Sequence, residues 1–325
     1  MSSDRATARA NANIAFIKYW GNRDDSLRLP SNPSLSMNLD GLFTETTVVW
    51  DDGVAKDSLI LNAREDDGQA LARVSHHLDA LRQRLGLESY ARVESANNFP
   101  TGAGIASSAS SFAALTVAAV AAASVTLSER ELTTLARLGS GSAARSVPTG
   151  FVEWYASDLH AESYAESIAA PDYWDLVDVI AVVSHHHKDV GSTAGHASAH
   201  TSELQSTRVA TAVERLESCK RALLGRDFGA FAEIVERDSN LMHAVMMTSQ
   251  PPLFYWQPAS LEVMANVRRW RLDGLQVCYT LDAGPNVHCI CVRSDAEAVS
   301  AGLAALSNVE EIRVAGPGGP AVVLS

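Results

Sequence analysis

The distribution of apolar and polar residues predicts mixed strands and helices in the first half of the chain. Residues 42–62 alternate between apolar and polar in the manner of two strands, separated by a turn at residues 51–53. Apolar residues then recur at helical spacing, and an alanine-rich run lies further on. The pattern predicts strands over residues 43–50, 58–62 and 90–97 and helices over residues 69–85, 109–123 and 129–137.

In the second half the helical segments are longer and follow one another. An apolar strand is predicted over residues 177–184, and three successive helices over residues 206–224, 228–244 and 260–272. Strands over residues 277–281 and 287–292, a helix and a strand over residues 311–314 complete the pattern. Strands with segregated helices indicate an α+β fold rather than a doubly wound sheet. The change of character predicts two domains, residues 1–186 and 187–325.

Composition indicates a globular protein with a sizeable core. The 325 residues suffice for two domains, and 46% of them are hydrophobic against 20% charged. The net charge of -12, with no stretch rich in Lys and Arg, argues against a nucleic-acid partner and less strongly against an anionic membrane. An anionic small molecule is compatible, because a few cations in one cleft are enough to bind it.

The cysteines and the N-terminal segment favour a reducing, cytoplasmic location. Cys219, Cys278, Cys289 and Cys291 form no C-x-x-C pair, so we expect them to be small core hydrophobes. The first residues are polar and lack the hydrophobic region of a signal peptide. The alanine-rich run has few bulky side chains, and we expect it to be buried in protein rather than in a bilayer.

A glycine-rich segment before the alanine-rich helix is the clearest candidate for ligand binding. Residues 100–109 read Pro-Thr-Gly-Ala-Gly-Ile-Ala-Ser-Ser-Ala, which places two glycines before a helix N-terminus that favours anions. The segment matches neither the P-loop nor the dinucleotide GxGxxG pattern, and the simpler alternative is a glycine turn capped by Ser107. We interpret it as a phosphate-binding loop, with contacts at Pro100, Gly102, Gly104, Ala106, Ser107 and Ser108.

Two charged residues at strand ends are candidates for chemistry. Lys18 ends an apolar run, where an ammonium group is costly to bury without an anionic partner; the alternative is a lysine that extends to solvent. Asp282 follows an apolar strand and precedes Ala-Gly-Pro, so it is either a turn residue or an acid/base group. Three consecutive histidines at residues 185–187 cannot all point to one side of a strand, and they do not predict a metal site.

Several segments together resemble the GHMP kinase superfamily and, within it, the mevalonate diphosphate decarboxylases. The superfamily likeness lies in residues 100–109, the strand ending at Lys18 and Gly-Pro-Gly-Gly at residues 316–319. The family likeness lies in segments that follow the family's order across nearly the whole chain: Asn-Ile-Ala-Phe-Ile-Lys-Tyr-Trp-Gly at 13–21, Asn-Asn-Phe-Pro at 97–100, Gly-Ser-Gly-Ser-Ala-Ala-Arg-Ser at 139–146, Gly-Phe-Val-Glu-Trp at 150–154 and Asp-Ala-Gly-Pro-Asn at 282–286.

The resemblance implies both a fold and a reaction. The fold would combine an N-terminal domain like ribosomal protein S5 domain 2 with a ferredoxin-like C-terminal domain. In the reaction, ATP phosphorylates the tertiary 3-hydroxyl of a 5-phosphorylated mevalonate, and phosphate and CO₂ then leave to give a terminal alkene for isoprenoid biosynthesis. Mg²⁺ would arrive with the nucleotide phosphates. A homodimer is compatible with the resemblance, although no apolar stripe marks an interface.

The resemblance also implies roles for particular residues. Asp282 matches the family's catalytic aspartate, Lys18 the lysine beside it, and Arg145 the arginine that binds the substrate carboxylate. Asn98, in the matched segment before the phosphate loop, is expected to bind the nucleotide with that loop. Without the resemblance, Arg64 would be a surface charge and Ser192 with Thr193 a helix cap. The positions expected near the substrate's 5-phosphate end are Tyr19, Asn22, Arg64, Ser140, Ser142, Ser192, Thr193 and His196.

Two of these positions depart from the family pattern. The family usually reads Lys-Tyr-Trp-Gly-Lys, and Asn22 stands at the second lysine, one of the cations that would contact the diphosphate; His196 stands where methionine is common. We therefore expect (R)-5-phosphomevalonate as substrate, giving isopentenyl phosphate, with (R)-5-diphosphomevalonate, giving isopentenyl diphosphate, as the alternative. Remoter alternatives are a mevalonate 3-kinase that does not decarboxylate and a nucleotide-binding regulator that has lost catalysis.

Overall fold

The computed structural model describes residues 5–99, 107–185 and 191–325, which form two principal sheets and nine α-helices. The strands are β1 (Arg5–Ile17), β2 (Asn22–Asp24), β3 (Leu29–Pro30), β4 (Ser34–Asp51), β5 (Ser58–Leu61), β6 (Arg64–Asp66), β7 (Tyr90–Asn97), β8 (Phe151–Trp154), β9 (Ala165–Ala169), β10 (Leu176–Val182), β11 (Val277–Thr280), β12 (Val287–Val292), β13 (Glu311–Ala315) and β14 (Val322–Val323). The helices are α1 (Gln69–Leu85), α2 (Ser107–Ala122), α3 (Glu129–Gly139), α4 (Ser192–Ser198), α5 (Gln205–Ala210), α6 (Ala212–Gly225), α7 (Phe228–Thr248), α8 (Pro258–Leu272) and α9 (Ala296–Ala304).

Every predicted strand and helix is present, most of them with ends within about four residues of those predicted, and two differ more. β4 begins at Ser34 rather than at residue 43. The helix predicted over residues 206–224 is divided into α5 and α6 at Thr211. The α+β class is confirmed.

The first sheet has the strand order β14-β1-β4-β7-β5-β6, and β8 and β9 continue from β4. β5 lies parallel to β7, whereas β4 is antiparallel to it. The strands on either side of the turn at residues 51–53 are therefore not neighbours, because β7 lies between them. Its register places Val93 opposite both Val48 and Leu59, which join one apolar cluster.

The second sheet corrects the predicted division of the chain. Its order is β11-β12-β10-β13, so β10 pairs with strands from the C-terminal part although it precedes residue 186. β14, in turn, pairs with β1 of the first sheet through Ala8 and Val323. The boundary expected between residues 186 and 187 does not coincide with the division between the sheets, because the wholly buried β10 is paired on both edges. Strand pairing favours a division before Leu176.

β1 connects the two halves of the core. In its first part Ala6, Ala8 and Ala10 are buried alternately, and these small side chains pack under α2. From Ala12 onward every residue is buried, because the strand continues into the region between the first sheet, β10 and α7. This change from one buried face to two explains why the apolar run before Lys18 is continuous.

α2 is the alanine-rich helix, and it is buried around most of its circumference. Its alanines allow close packing on β1 and β4, and the Trp50 indole N–H donates to the Ala119 carbonyl at 2.9 Å. All four cysteines are buried and none forms a disulfide, as predicted. None of the helices in the described ranges is long and apolar enough to cross a membrane.

Candidate active site

A cavity of about 1070 Å³ brings together residues from the first sheet, α2, α4 and the end of β11. Lys18, Arg145 and Asp282 line one part of it, which we call the reacting end. Tyr19, Arg28, Ser140 and His196 line another, which we call the tail side. The cavity also extends along β5 and β7, where Leu59, Leu61 and Val93 form an apolar wall.

Lys18 and Asp282 form an ion pair at the reacting end. Lys18 follows the end of β1 and Asp282 lies two residues beyond β11, and Lys18 Nζ is 2.6 Å from Asp282 Oδ1. The lysine side chain is 1% exposed and the carboxylate 24% exposed, so the carboxylate faces the cavity. A turn in which the Gly284 N–H donates to the Asp282 carbonyl at 2.8 Å fixes the backbone after the strand.

Burial and neighbouring charges act in opposite directions on this pair. Burial lowers the pKa of Lys18 from its usual 10.5, although Asp282 and Asp238 both act to raise it. Burial acts to raise the pKa of Asp282, but the charges of Lys18, His288 and Arg145 outweigh it, and the pKa falls below 3.8. Asp282 is therefore an ionised carboxylate at neutral pH, ready to accept a proton.

Arg145 is held by its own side-chain contacts beside this pair. It lies on the short 3₁₀ helix Gly141–Ser146, where its Nε and Nη2 donate to Asn13 Oδ1 at 3.2 and 3.0 Å. Its Nη1 donates to Ser34 Oγ at 2.9 Å. Burial lowers the pKa of Arg145 to about 10, so it is a cation at neutral pH. A guanidinium group aimed in this way suits a carboxylate ligand.

Small polar residues line the region between Arg145 and α2. A Cβ at Gly141 would lie 2.6 Å from the Tyr19 ring, so only glycine allows this approach. Ser140 Oγ is 3.2 Å from Ser108 Oγ and 3.4 Å from Ser142 Oγ. These hydroxyls and Ser107, at the start of α2, can donate hydrogen bonds to an anion. The predicted contacts Pro100, Gly102, Gly104 and Ala106 lie outside the described residues.

On the tail side, contacts between aromatic rings hold Tyr19 and His196. The Tyr19 ring lies 4.7 Å from Trp154 and 4.1 Å from His196 between centroids, and His196 also contacts Trp20 at 4.4 Å. The Gly21 N–H donates to His196 Nδ1 at 3.0 Å, so that nitrogen is an acceptor. Burial raises the pKa of Tyr19, which keeps its phenol neutral.

Asn22 turns its amide toward its own segment. Its Oδ1 accepts a hydrogen bond from the Tyr19 hydroxyl, and its Nδ2 donates to Asp25 Oδ1 at 2.8 Å. Asn22 is not among the described residues that line the cavity, but it hydrogen-bonds to Tyr19, which is. No cation stands at this position.

The structure brings most of the predicted site residues together. One cavity is lined by Lys18, Tyr19, Ser107, Ser108, Ser140, Ser142, Arg145, Ser192, Thr193, His196 and Asp282. Arg64 is instead exposed on β6 and borders a separate depression with Asn62 and Glu65, because β6 is the edge strand. Asn98 is exposed, and its side chain hydrogen-bonds to the backbone near the middle of β4. It donates to the Gly41 carbonyl at 2.7 Å and accepts from the Phe43 N–H at 2.8 Å.

Two cations of the cavity were missed by sequence reasoning. Arg28 reaches it from the β2–β3 hairpin, where its Nε donates to the Leu138 carbonyl at 2.9 Å. Arg73 reaches it from α1, with its guanidinium 5.2 Å from the centre of the Phe112 ring. Arg73 falls at helical spacing with Ala70, Val74 and His77, and a charge on that apolar face was the available signal.

His185, the first of the three consecutive histidines, is not among the residues that line this cavity. His185 Nε2 is 3.7 Å from Glu310 and 3.6 Å from Glu311, and both carboxylates come from the chain around β13. Residues 186 and 187 lie outside the described part of the chain. Among the residues that are described, no group of three or more His, Cys, Asp or Glu could hold a metal ion.

Comparisons with known proteins agree with this arrangement. The model of the diphosphomevalonate decarboxylase-like N-terminal domain matches residues 10–165, and that of the mevalonate 5-diphosphate decarboxylase C-terminal domain matches residues 178–314. Diphosphomevalonate decarboxylase mvd1 of Aspergillus fumigatus is 42% identical over 324 residues, covering 93% of this chain and 80% of the relative. The human diphosphomevalonate decarboxylase is 40% identical over 304 residues, covering 86% and 75%.

Solved structures match over almost the whole chain. Mevalonate diphosphate decarboxylase from Staphylococcus aureus has a TM-score of 0.95 and 35% identity, covering 99% of this chain and 98% of its own. The structure described as MDDEF in complex with MVAPP, AMPPCP and magnesium has a TM-score of 0.94 and 36% identity, covering 99% of both chains.

The fold and site thus define a two-domain protein of the GHMP kinase type, as predicted. More particularly, the chain belongs to the mevalonate diphosphate decarboxylase family and is an ATP-dependent carboxy-lyase. The two family models divide between residues 165 and 178, which agrees with the strand pairing of β10 rather than with a boundary at residue 186.

Proposed function

We propose that this chain catalyses the ATP-dependent decarboxylation of (R)-5-diphosphomevalonate to isopentenyl diphosphate. The observation that carries the proposal is the Lys18–Asp282 pair at 2.6 Å with Arg145 beside it in one cavity. The relatives favour the diphosphate ester over the monophosphate expected from Asn22, because those compared are named for diphosphomevalonate and one neighbour structure contains MVAPP.

Asp282 is the proposed base for the first step. A tertiary alcohol is a poor nucleophile, so a carboxylate within hydrogen-bond reach must orient the 3-hydroxyl and accept its proton as the γ-phosphoryl group of ATP is transferred. Lys18 keeps that carboxylate ionised and supplies positive charge where the phosphoryl group moves. Positioning of the two substrates accounts for most of the rate enhancement.

Arg145 is the proposed clamp for the substrate carboxylate. When the 3-phosphate leaves, C3 becomes electron-poor, and the bond between C2 and the carboxylate breaks to form the alkene and CO₂. Asn13 and Ser34 fix the guanidinium, so the carboxylate is held in one orientation until that bond breaks. Because the carboxylate leaves as neutral CO₂, its ion pair with Arg145 ends when the bond breaks, and Arg145 does not have to move.

ATP and Mg²⁺ are proposed as the further requirements. The hydroxyls of Ser107 and Ser108 at the start of α2 line the same cavity. Such oxygen donors fit a Mg²⁺ ion carried on nucleotide phosphates, where it would neutralise phosphate charge. The apolar wall of Leu59, Leu61 and Val93 offers a surface for the nucleotide's base. AMPPCP and magnesium in the neighbour structure support this assignment.

The substrate's 5-diphosphate is proposed to lie on the tail side. Arg28 supplies positive charge there, and Tyr19, Ser140 and Ser192 supply hydroxyl groups. Arg73 also reaches the cavity and adds a second cation near Arg28. These groups compensate for the lysine that Asn22 replaces, which is how a diphosphate ester can be held despite that substitution.

A second candidate is decarboxylation of (R)-5-phosphomevalonate to isopentenyl phosphate. The observation that favours it is the neutral amide of Asn22, which is occupied by Tyr19 and Asp25 and leaves the tail side one cation short of the family pattern. A monophosphate carries less charge and loses less from the absence of that cation.

Side-by-side kcat/KM measurements with the two esters test the proposal. ATP, Mg²⁺ and each ester are supplied separately, and CO₂ release and the alkene product are identified. A higher kcat/KM for diphosphomevalonate supports the proposal, and a clear preference for phosphomevalonate replaces it with the second candidate. ADP formation without CO₂ would identify a 3-kinase, and neither product would indicate a regulator.

A further inference from the structure

The peptide groups of Lys18 are bound by buried side chains from the helices of the second half. The Lys18 N–H donates to Asp238 Oδ2 of α7 at 2.6 Å. The Lys18 carbonyl accepts from Arg208 Nη2 of α5 at 2.6 Å and from Asn32 Nδ2 at 2.9 Å. Both peptide groups of Lys18, just after the end of β1, are thus hydrogen-bonded to side chains rather than to a neighbouring strand.

Asp238 is itself fixed, and both of its oxygens are used. It is fully buried at 0% exposure, and Arg215 Nε donates to its Oδ1 at 2.7 Å. Arg215 Nη2 donates in turn to the carbonyl of Arg208 at 2.9 Å. Each carboxylate oxygen accepts one N–H donor, so Asp238 is held by Lys18 on one side and by Arg215 on the other.

The next residue of α7 holds the other partner of the catalytic ion pair. Ser239 Oγ accepts from the Leu281 N–H at 3.0 Å, immediately before Asp282. One turn further along α7, the buried His243 lies close to the backbone of Leu281 and Asp282. A single helix therefore contacts the backbone at both strand ends, although Lys18 belongs to the first sheet and Asp282 to the second.

We propose that Asp238 and Ser239 are positioning residues that set the distance between Lys18 Nζ and the Asp282 carboxylate. Neither residue lines the cavity itself, and each acts through a backbone N–H. The inference rests on the proposed roles of Lys18 and Asp282. Two adjacent residues of one helix hold two strand ends that are otherwise joined by a long hydrogen bond from the Thr280 hydroxyl of β11 to the Ala15 carbonyl of β1, at 3.4 Å. A shift of about 1 Å at a reacting pair is costly.

Asp238 also contributes charge to the site. The groups that face Lys18 are Asp282 after β11, Asp238 and His243 on α7, Arg145 on its 3₁₀ helix and Arg208 on α5. Burial lowers the pKa of Lys18, and Asp238 is one of two carboxylates that oppose this effect. Removing its charge therefore lowers the pKa of Lys18 further, which a purely structural contact would not do.

Asp238→Asn is the main test, with Glu233→Gln as the matched control. Asparagine has the same shape but one acceptor oxygen, so either the Lys18 N–H or Arg215 loses its acceptor. Glu233 is an exposed acid on the same helix. We expect kcat to fall about 10- to 100-fold in Asp238→Asn, with KM for ATP changed less than about twofold, and Glu233→Gln to match the wild type.

A titration of Lys18 provides a readout that needs no substrate. The chain has four lysines, so carbon-13 NMR of labelled lysine side chains can follow Lys18 once Lys18→Gln assigns its signal. We expect the Lys18 titration to move to lower pH in Asp238→Asn and to be unchanged in Glu233→Gln. An unchanged titration in folded Asp238→Asn, or a kcat loss that merely equals its unfolded fraction, would overturn the role of Asp238.

Ser239→Ala and Ser239→Thr keep the inference testable if Asp238→Asn does not fold. Alanine removes the acceptor for the Leu281 N–H, and threonine retains it. A kcat loss of about fivefold or more in Ser239→Ala, recovered in Ser239→Thr, supports the inference, and a wild-type kcat in Ser239→Ala overturns it. If the wild-type protein turns over neither ester, the proposed function is refuted, but the positioning role of Asp238 is not. The Lys18 titration in Asp238→Asn would still test that role.

Discussion

The reacting end and the tail side of the cavity hold their polar groups in different ways. At the reacting end, Arg145 is held by Asn13 and Ser34, and the backbone of Lys18 is held by Asp238 and Arg208. On the tail side, Tyr19 and His196 are held mainly by ring contacts, and Asn22 bonds within its own short segment. The first arrangement is a set of buried hydrogen bonds to charged groups, whereas the second combines ring contacts with hydrogen bonds inside one short segment.

The difference separates the chemistry from substrate selection. A change at the reacting end leaves a buried charge without its partner, which is costly wherever it occurs. A change on the tail side alters one contact to a flexible phosphate group, and neighbouring cations can compensate. We therefore expect substitutions at the reacting end to lower kcat strongly, and those on the tail side to change KM or the choice of ester.

The largest expected effect follows replacement of the proposed base. Asp282→Asn removes the carboxylate but keeps its size, and we expect kcat to fall by about 10³-fold or more with ATP affinity changed little. Single-turnover assays and a separate nucleotide titration measure the two quantities. Activity like that of the wild type would refute the role assigned to Asp282.

Next in size is the removal of the buried cation. In Lys18→Met we expect kcat to fall about 10²-fold or more, with Lys56→Met, an exposed lysine, as control. Lys18 is the largest charge acting to lower the pKa of Asp282, so its loss raises that pKa and moves the acid limb of the pH–rate profile to higher pH. An acid limb that does not move would contradict the coupling of the pair.

The alkaline side of the wild-type profile tests the same pair in the other direction. Burial lowers the pKa of Lys18, and the proposed mechanism needs the protonated form, so activity should fall at a pH below 10.5 as Lys18 loses its proton. Lys18→Arg retains a cation throughout this range. If the alkaline limb is the same in wild type and Lys18→Arg, another group causes it.

A smaller effect is expected at the tail side. Arg73→Gln removes one cation, and we expect KM for the phosphorylated mevalonate to rise about tenfold with kcat within about twofold. Arg84→Gln, on the same helix but half exposed and paired with Glu131, is the matched control. A loss in kcat with unchanged KM would place Arg73 with the reacting end and break the comparison.

The smallest effect is expected at Asn22. Asn22→Lys restores the family's cation, and we expect the ratio of kcat/KM for diphosphomevalonate to that for phosphomevalonate to rise about fivefold. The two esters are assayed in parallel on the same preparation. A ratio equal to that of the wild type would show that Arg28 and Arg73 already supply what the diphosphate requires.

How far the site could be predicted differs from residue to residue. Lys18 and Asp282 stood out because a charged group at the end of an apolar strand is costly to bury without a partner. The resemblance to the family then implied that the two lie side by side. Arg64 was predicted for the substrate but lies on an edge strand outside the cavity. Arg28 and Arg73 were missed, because neither lies in a motif and only packing brings a hairpin and α1 to the same cavity.

By itself the sequence determined the longer strands and helices, the α+β class and the motifs of the reaction, because these depend on residues close together in the chain. It did not predict the short strands β2, β3, β6, β8, β9 and β14. Only the tertiary structure decided that β10 belongs with the C-terminal strands, that β7 separates β4 from β5, and that α7 contacts both strand ends at the reacting pair. Asp238 and Lys18 are far apart in sequence, and neither carries a local signal of the other. Their contact exists only because burial of two sheets against one helix brings their backbones together.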